Sequence, residues 1–162
     1  MAHFARKWNQ VRRTLAVLVV VLALTTPAWT QGKIGVGGSF LFGSPVFDAF
    51  AEVALGDATA LRFTVGTLFS GFGVNAFTID ATFLIILGLE AIQPYFGAGA
   101  GAFMVTGEGA AEGFFTVNGI AGVNLPLGEA FGVYGQIRFL AQVMGGDFAA
   151  LPLSGVGLYV NF

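Results

Sequence analysis

The chain has no cysteine, and its single histidine, His3, sits at the extreme N-terminus. Only 10% of its residues are charged, against about 25% in ordinary soluble domains. The first absence rules out a disulfide framework and thiol chemistry. The second removes the commonest general base and metal ligand from nearly the whole sequence. The third leaves too little charge to cover a soluble domain, because 56% of the residues are hydrophobic. A chain of 162 residues cannot bury that much apolar surface in a core of its own. The natural solvent for the excess is lipid. Long apolar runs are missing too, and a membrane-spanning helix needs about 20 such residues. The longest, "LAVLVVVLAL" at Leu15–Leu24, is too short.

That run follows Arg6, Lys7, Arg12 and Arg13 and precedes "TTPAWTQG". A basic start, a short apolar stretch and a small-residue exit read as a helical secretory signal peptide. Cleavage after Ala28 divides the chain into a signal over 1–28 and a single domain over 29–162; cleavage after Thr30 and an uncleaved anchor are the alternatives. Past residue 28 the cations are Lys33, Arg62 and Arg138 against nine acids, a formal charge of −6. Nucleic acid, which demands clustered Lys and Arg, is excluded as a partner.

From Gln31 onward the pattern changes to a period of two. "KIGVGGSFLFG" sets Ile34, Val36, Phe40 and Phe42 on one parity, and "ALRFTVG" sets Leu61, Phe63 and Val65 against Arg62 and Thr64. "AFTIDATFLI", "FFTVNGIAGVNLP" and "FGVYGQIRFL" alternate likewise, as does the terminal "SGVGLYVNF". Eight such segments predict eight strands. Breaks at Gly56, Gly88 and Pro126 alternate with longer stretches such as "GSPVFDA", "TGEGAAEG" and "MGGDFAALP", read as outer loops. One parity is rich in phenylalanine and the other polar and glycine-rich. In lipid every backbone group must be paired, so strands must close on themselves. The expected fold is all-β: an eight-stranded antiparallel up-and-down transmembrane β-barrel, apolar parity outward, its last strand closed against "KIGVGGSF". A soluble barrel of the lipocalin kind is the alternative, but its outer parity would be charged.

Four charges stand alone among apolar neighbours on the inward parity: Glu52, Arg62, Asp80 and Arg138. A tight turn at Gly56 sets Glu52 opposite Arg62. A hairpin centred on Gly71 sets Arg62 opposite Asp80, giving an acid–arginine–acid row that Arg138 closes from across the lumen. Such a row is expected to plug an eight-stranded barrel, which is just wide enough to be filled; the alternative is a gate whose ion pairs exchange partners. Phe69, Phe72 and Phe148 mark a candidate hydrophobic site at the outer rim. Asp48, Glu108, Glu112 and Asp147 are read as solvated loop acids. "GAGAGA", Gly97–Ala102, formally matches a dinucleotide-binding pattern but continues into a strand where that motif needs a helix; its small residues are expected to make room for Tyr and Arg inside the barrel. No catalytic residue, metal or cofactor is expected: the serines of the domain lack a histidine partner.

The sequence resembles the small eight-stranded outer-membrane barrels, the OmpA, OmpX and OmpW relatives. "GVGLYVNF" is similar to the C-terminal signal by which the barrel assembly machinery recognises its clients, carried here by Gly157, Val160 and Phe162, with Gly155 at its usually polar first position. "QPYFGAGAG" resembles a strand start common in these barrels, and "GVNLPLGEAFGVYGQIRF" their hairpin before the last strand. The resemblance implies the barrel fold and a place in the cell outer membrane; the signal peptide implies export by the secretory pathway, and a monomer is expected. Its partners would be the lipid bilayer and, during biogenesis, the assembly machinery. The resemblance carries no individual function; the expected role is structural, in membrane integrity, with a narrow conduit for small or hydrophobic solutes as the alternative.

Overall fold

A computed structural model describes residues 31–41, 44–69, 75–88, 91–107, 110–144 and 147–162. The expected signal peptide and its cleavage site lie outside the described residues, as do Phe42, Phe72 and Glu108. Eight strands follow one another: β1 Gly32–Leu41, β2 Ser44–Gly56, β3 Thr59–Phe69, β4 Asn75–Ile86, β5 Gln93–Gly107, β6 Ala110–Pro126, β7 Phe131–Met144 and β8 Asp147–Asn161. Each pairs antiparallel with the next, and β8 pairs with β1, so the sheet is a closed barrel. The seam runs from Lys33 opposite Asn161 to Phe40 opposite Ser154. It is completed by Gly32 and Phe162, each donating its amide to the other's carbonyl at 2.9 and 3.0 Å. Closure leaves no edge strand, which is the condition for a sheet in hydrocarbon.

The two parities separate as physics in lipid requires. Val36, Phe63, Val65, Phe139 and Val156 stand on the outer face, and Val156 is 71% exposed. Arg62 and Arg138 are 1% and 2% exposed, inside. A water-soluble barrel would reverse this, so the soluble alternative fails on its own outer surface. The three tyrosines, Tyr95, Tyr134 and Tyr159, also point inward and are buried.

One expectation is corrected. The stretches read as outer loops are largely strand: β2 begins at Ser44, β5 and β6 pair up to Gly107 opposite Ala110, and β7 and β8 up to Met144 opposite Asp147. Glycine and alanine signal a loop when met singly, yet ladder bonds use only the backbone, so a hairpin keeps pairing through them. The connections at the two ends therefore do not divide into short and long sets. "GAGAGA" lies in mid-β5, with no helix after it.

Candidate functional site

The lumen gathers the polar side chains. Even positions of β2, β3, β4, β6 and β7 and odd positions of β1, β5 and β8 face it, and three clusters result.

The first centres on Arg62. Glu52 is its direct partner across β2–β3, and one Glu52 oxygen accepts from Arg62 Nε at 2.9 Å and Nη2 at 2.6 Å. Nη1 donates to Tyr95 Oη at 3.2 Å and to Gln136 Oε1 at 3.1 Å, and Tyr95 in turn donates to Gln136 at 3.0 Å. The guanidinium lies over two rings, 4.2 Å from the centroid of Phe50 and 4.6 Å from that of Tyr95. Planar, delocalised and weakly hydrated, it suits such a position better than an ammonium would. Lys33 adds a second cation, 3.6 Å from Glu52 and bonded to Gln93.

The second cluster joins Arg138 to Asp80 at 3.1 Å across the barrel. Asn118 donates to the other Asp80 oxygen at 3.3 Å. The Thr82 hydroxyl, 3.3 Å from that oxygen and 3.0 Å from the Asn118 carbonyl, has one proton for the two. Arg138 keeps Nε and Nη2 without a protein partner, and the Thr78 hydroxyl and both polar atoms of Asn124 are in the same state.

The third is Asp48, which accepts from Ser39 at 3.3 Å and from Tyr134 at 3.1 Å. It has no cation within salt-bridge distance among the described residues. The expectation that Asp48 is a solvated loop acid is corrected: β2 extends past it, and its even number puts it on Glu52's face. Glu112 is exposed on β6, Asp147 opens β8, and Glu108 lies outside the described residues. The row expected through Arg62 and Asp80 is also corrected. The β3–β4 hairpin centres on residue 72, so Arg62 faces Thr82 and Asp80 faces Thr64. The slip of two residues keeps the parity but breaks the row into two separate ion pairs. Phe69 and Phe148 end up on β3 and β8, and with Phe72 undescribed the rim site falls outside the described side chains.

Sequence reasoning missed how the aromatic rings are seated. Among the described residues, each of the four buried rings stands directly opposite a glycine: Phe50 opposite Gly35, Tyr95 opposite Gly122, Tyr134 opposite Gly157 and Tyr159 opposite Gly132. A Cβ on Gly122 would lie 2.5 Å from the Tyr95 ring, and one on Gly157 2.5 Å from that of Tyr134. The β5 glycines play another part. A Cβ on Gly99 or Gly101 would run into the β4 backbone at Thr82 or Asp80, 2.7 and 2.8 Å away, so these glycines let the strands approach instead of making room for Tyr or Arg. The missed signal is that these pairs join segments far apart in sequence.

Among the described residues, the buried and half-buried charges of the lumen are three cations (Lys33, Arg62, Arg138) and three acids (Asp48, Glu52, Asp80), which balance. Among residues 29–162 no cation remains for the outer face or the connections, where Asp57 and Glu129 are exposed; Glu112, near the start of β6, is exposed too.

No protein-family model matches the sequence, and no curated protein does. The backbone, in contrast, is shared. It is similar to the N-terminal β-barrel domain of Pseudomonas aeruginosa OprF, with a TM-score of 0.69 and 18% identity over 82% of this chain and 97% of that domain. It is similar to Neisserial surface protein A, with a TM-score of 0.64 and 10% identity over 82% of this chain and 95% of the other. A major outer membrane protein of Thermus thermophilus follows, with a TM-score of 0.56 and 15% identity over 82% and 99%. The likeness is one of fold. By fold the chain is a small eight-stranded outer-membrane β-barrel, and its apolar exterior is built for that setting.

Proposed function

We propose that this barrel is closed and serves a structural role in the integrity of the outer membrane. The observation that carries the reading is the lumen itself: three cations, three acids and four rings interlocked in a barrel of eight strands, a size that side chains just fill. Residues 29–162 contain no histidine, which speaks against a histidine-assisted serine hydrolase. Protein purified from membranes in mild detergent and shown to be folded by a heat-shifted gel band should be silent in a planar bilayer. Discrete conductance steps from such protein would overturn the reading.

A second reading, a narrow gated conduit, is favoured by Arg138. Two of its nitrogens are unpaired, and Nη2 stands beside Gly66, which faces the cation-free Asp48 across β2–β3. In this reading Arg138 exchanges Asp80 for Asp48. Arg138→Ala should then raise conductance; in the closed reading it lowers heat stability and stays silent. Unchanged stability together with unchanged conductance would leave the charge network without a role. For biogenesis, Gly157, Val160 and Phe162 are proposed as the signal read by the assembly machinery. Removing Phe162 should lower the amount of folded barrel in the outer membrane, and normal amounts would dismiss the signal.

A further inference from the structure

The strand glycines differ in what surrounds them. Inside, Gly122 and Gly157 seat rings, and Gly99 and Gly101 let β4 and β5 approach. Gly38 and Gly135 lie on the outward parity and have no such neighbour. A Cβ on Gly135 would meet nothing within 4 Å, and one on Gly38 only the Val46 carbonyl oxygen, at 3.8 Å. A glycine in mid-strand packs no side chain and weakens the strand, and it often marks a place where something else comes close to the backbone. Nothing among the described residues fills the room these two leave.

That room is a groove. Val156 of β8 stands between the two glycines, directly opposite Gly38 of β1 and Gly135 of β7. Two residues along β8, Ser154 lies opposite Phe40 and Ile137. Phe40, Ile137 and Val156, all exposed, rise as walls around a floor of glycine and serine. The groove spans β6, β7, β8 and β1 on the outer face and has a volume of about 640 Å³, within the range of about 300–1,000 Å³ usual for ligand sites. None of its lining residues is charged. The outer face of β2 and β3 is different: it carries Phe47, Phe63 and Val65 and no glycine.

We propose that this groove is a lipid-binding site that holds an acyl chain of a bilayer lipid. The exterior of the barrel faces hydrocarbon, so the groove opens on acyl chains. A flexible chain can follow it, whereas a second barrel, itself convex, would touch only its rims. A chain lying in the groove meets protein beneath it and on both flanks, and gains dispersion contacts that a flat wall does not offer. The site is independent of whether the lumen conducts.

The test uses protein purified from membranes and returned to lipid vesicles, its folding confirmed by the heat-shifted band. The vesicles contain a phosphatidylethanolamine with a diazirine on one acyl chain, and the residues labelled on irradiation are mapped by mass spectrometry. Native protein should be labelled in excess at Phe40, Ile137 and Val156 over Phe47, Phe63 and Val65. The double variant Gly38→Val with Gly135→Val fills the groove and should lose that excess; should it fail to fold, Gly135→Val alone replaces it and should lose the excess at Ile137 and Val156. Even labelling of the two faces in native protein would overturn the inference, as would an excess that survives in a folded, filled variant. Labelling weaker at the groove than on β2 and β3 would overturn it too, and a chemically cross-linked dimer alongside would place a second copy of the barrel there instead.

Discussion

Arg62 meets more partners than any other side chain of the lumen: a carboxylate, a phenol, an amide and two rings. Removing one member of a buried pair strands the other's charge, at a cost of about 3–5 kcal/mol, whereas replacing both by apolar groups is often neutral. Arg62→Ala should therefore lower barrel stability by about 3 kcal/mol, partly relieved by Lys33, and Glu52→Gln with Arg62→Met by clearly less. Urea unfolding in lipid vesicles measures both. The ring seats give a sharper contrast on one strand. Gly122→Ala meets the Tyr95 ring and the Gly135 carbonyl, the latter at 2.6 Å, and should cost about 1–3 kcal/mol. Gly119→Ala faces open space and should stay within about 0.5 kcal/mol. Equal effects would mean that the rings shift aside freely. The lone inward charges were legible in the sequence because a charge between two apolar neighbours in a strand has one place to go. Parity also set Tyr95, Tyr134 and Gln136 inward, but not the partners they find across the lumen, because those contacts join strands far apart in sequence.

At the level of strands, β3 shows the division most simply: Phe63 and Val65 outward, Arg62 and Thr64 inward. An arginine on the lipid face near mid-membrane costs about 2–4 kcal/mol. Val65→Arg should lose that amount by urea unfolding in vesicles; a much smaller loss would mean that Val65 does not face hydrocarbon. The sequence specified all eight strands, since period-2 alternation survives in each. Register was legible only where a turn was short. The Asp57–Ala58 turn fixed Glu52 against Arg62, even with the register shift between Ala54 and Gly56. The "SGFG" connection left its own midpoint open, and a one-residue error there displaced Asp80 by two positions. Strand ends were hidden for a similar reason: Thr106 pairs with Ala111 and Gly107 with Ala110 by backbone alone.

For the whole barrel, charge is sorted by location: every cation past residue 28 lies in the lumen, and the exposed charges among the described residues are acids. Salt screens exposed charges over about 8–10 Å and buried pairs far less. Raising sodium chloride from low to molar concentration should leave the unfolding midpoint in neutral lipid vesicles nearly unchanged. A marked fall would mean that the pairs are wetter than their burial indicates.

The inward turn of all three tyrosines reaches beyond the lumen. Barrels and helices alike are held at a fixed depth by indole and phenol groups that bond to lipid headgroups. Trp8 and Trp29 precede β1, and the exterior rings are phenylalanines such as Phe40, Phe77, Phe131 and Phe162, which can offer no such bond. Among the described residues no indole or phenol faces the lipid, so over that part depth is set by the height of the apolar band against the thickness of the surrounding hydrocarbon. The described barrel is held more as a float than as an anchored post, by the fit of its apolar band to the bilayer's thickness.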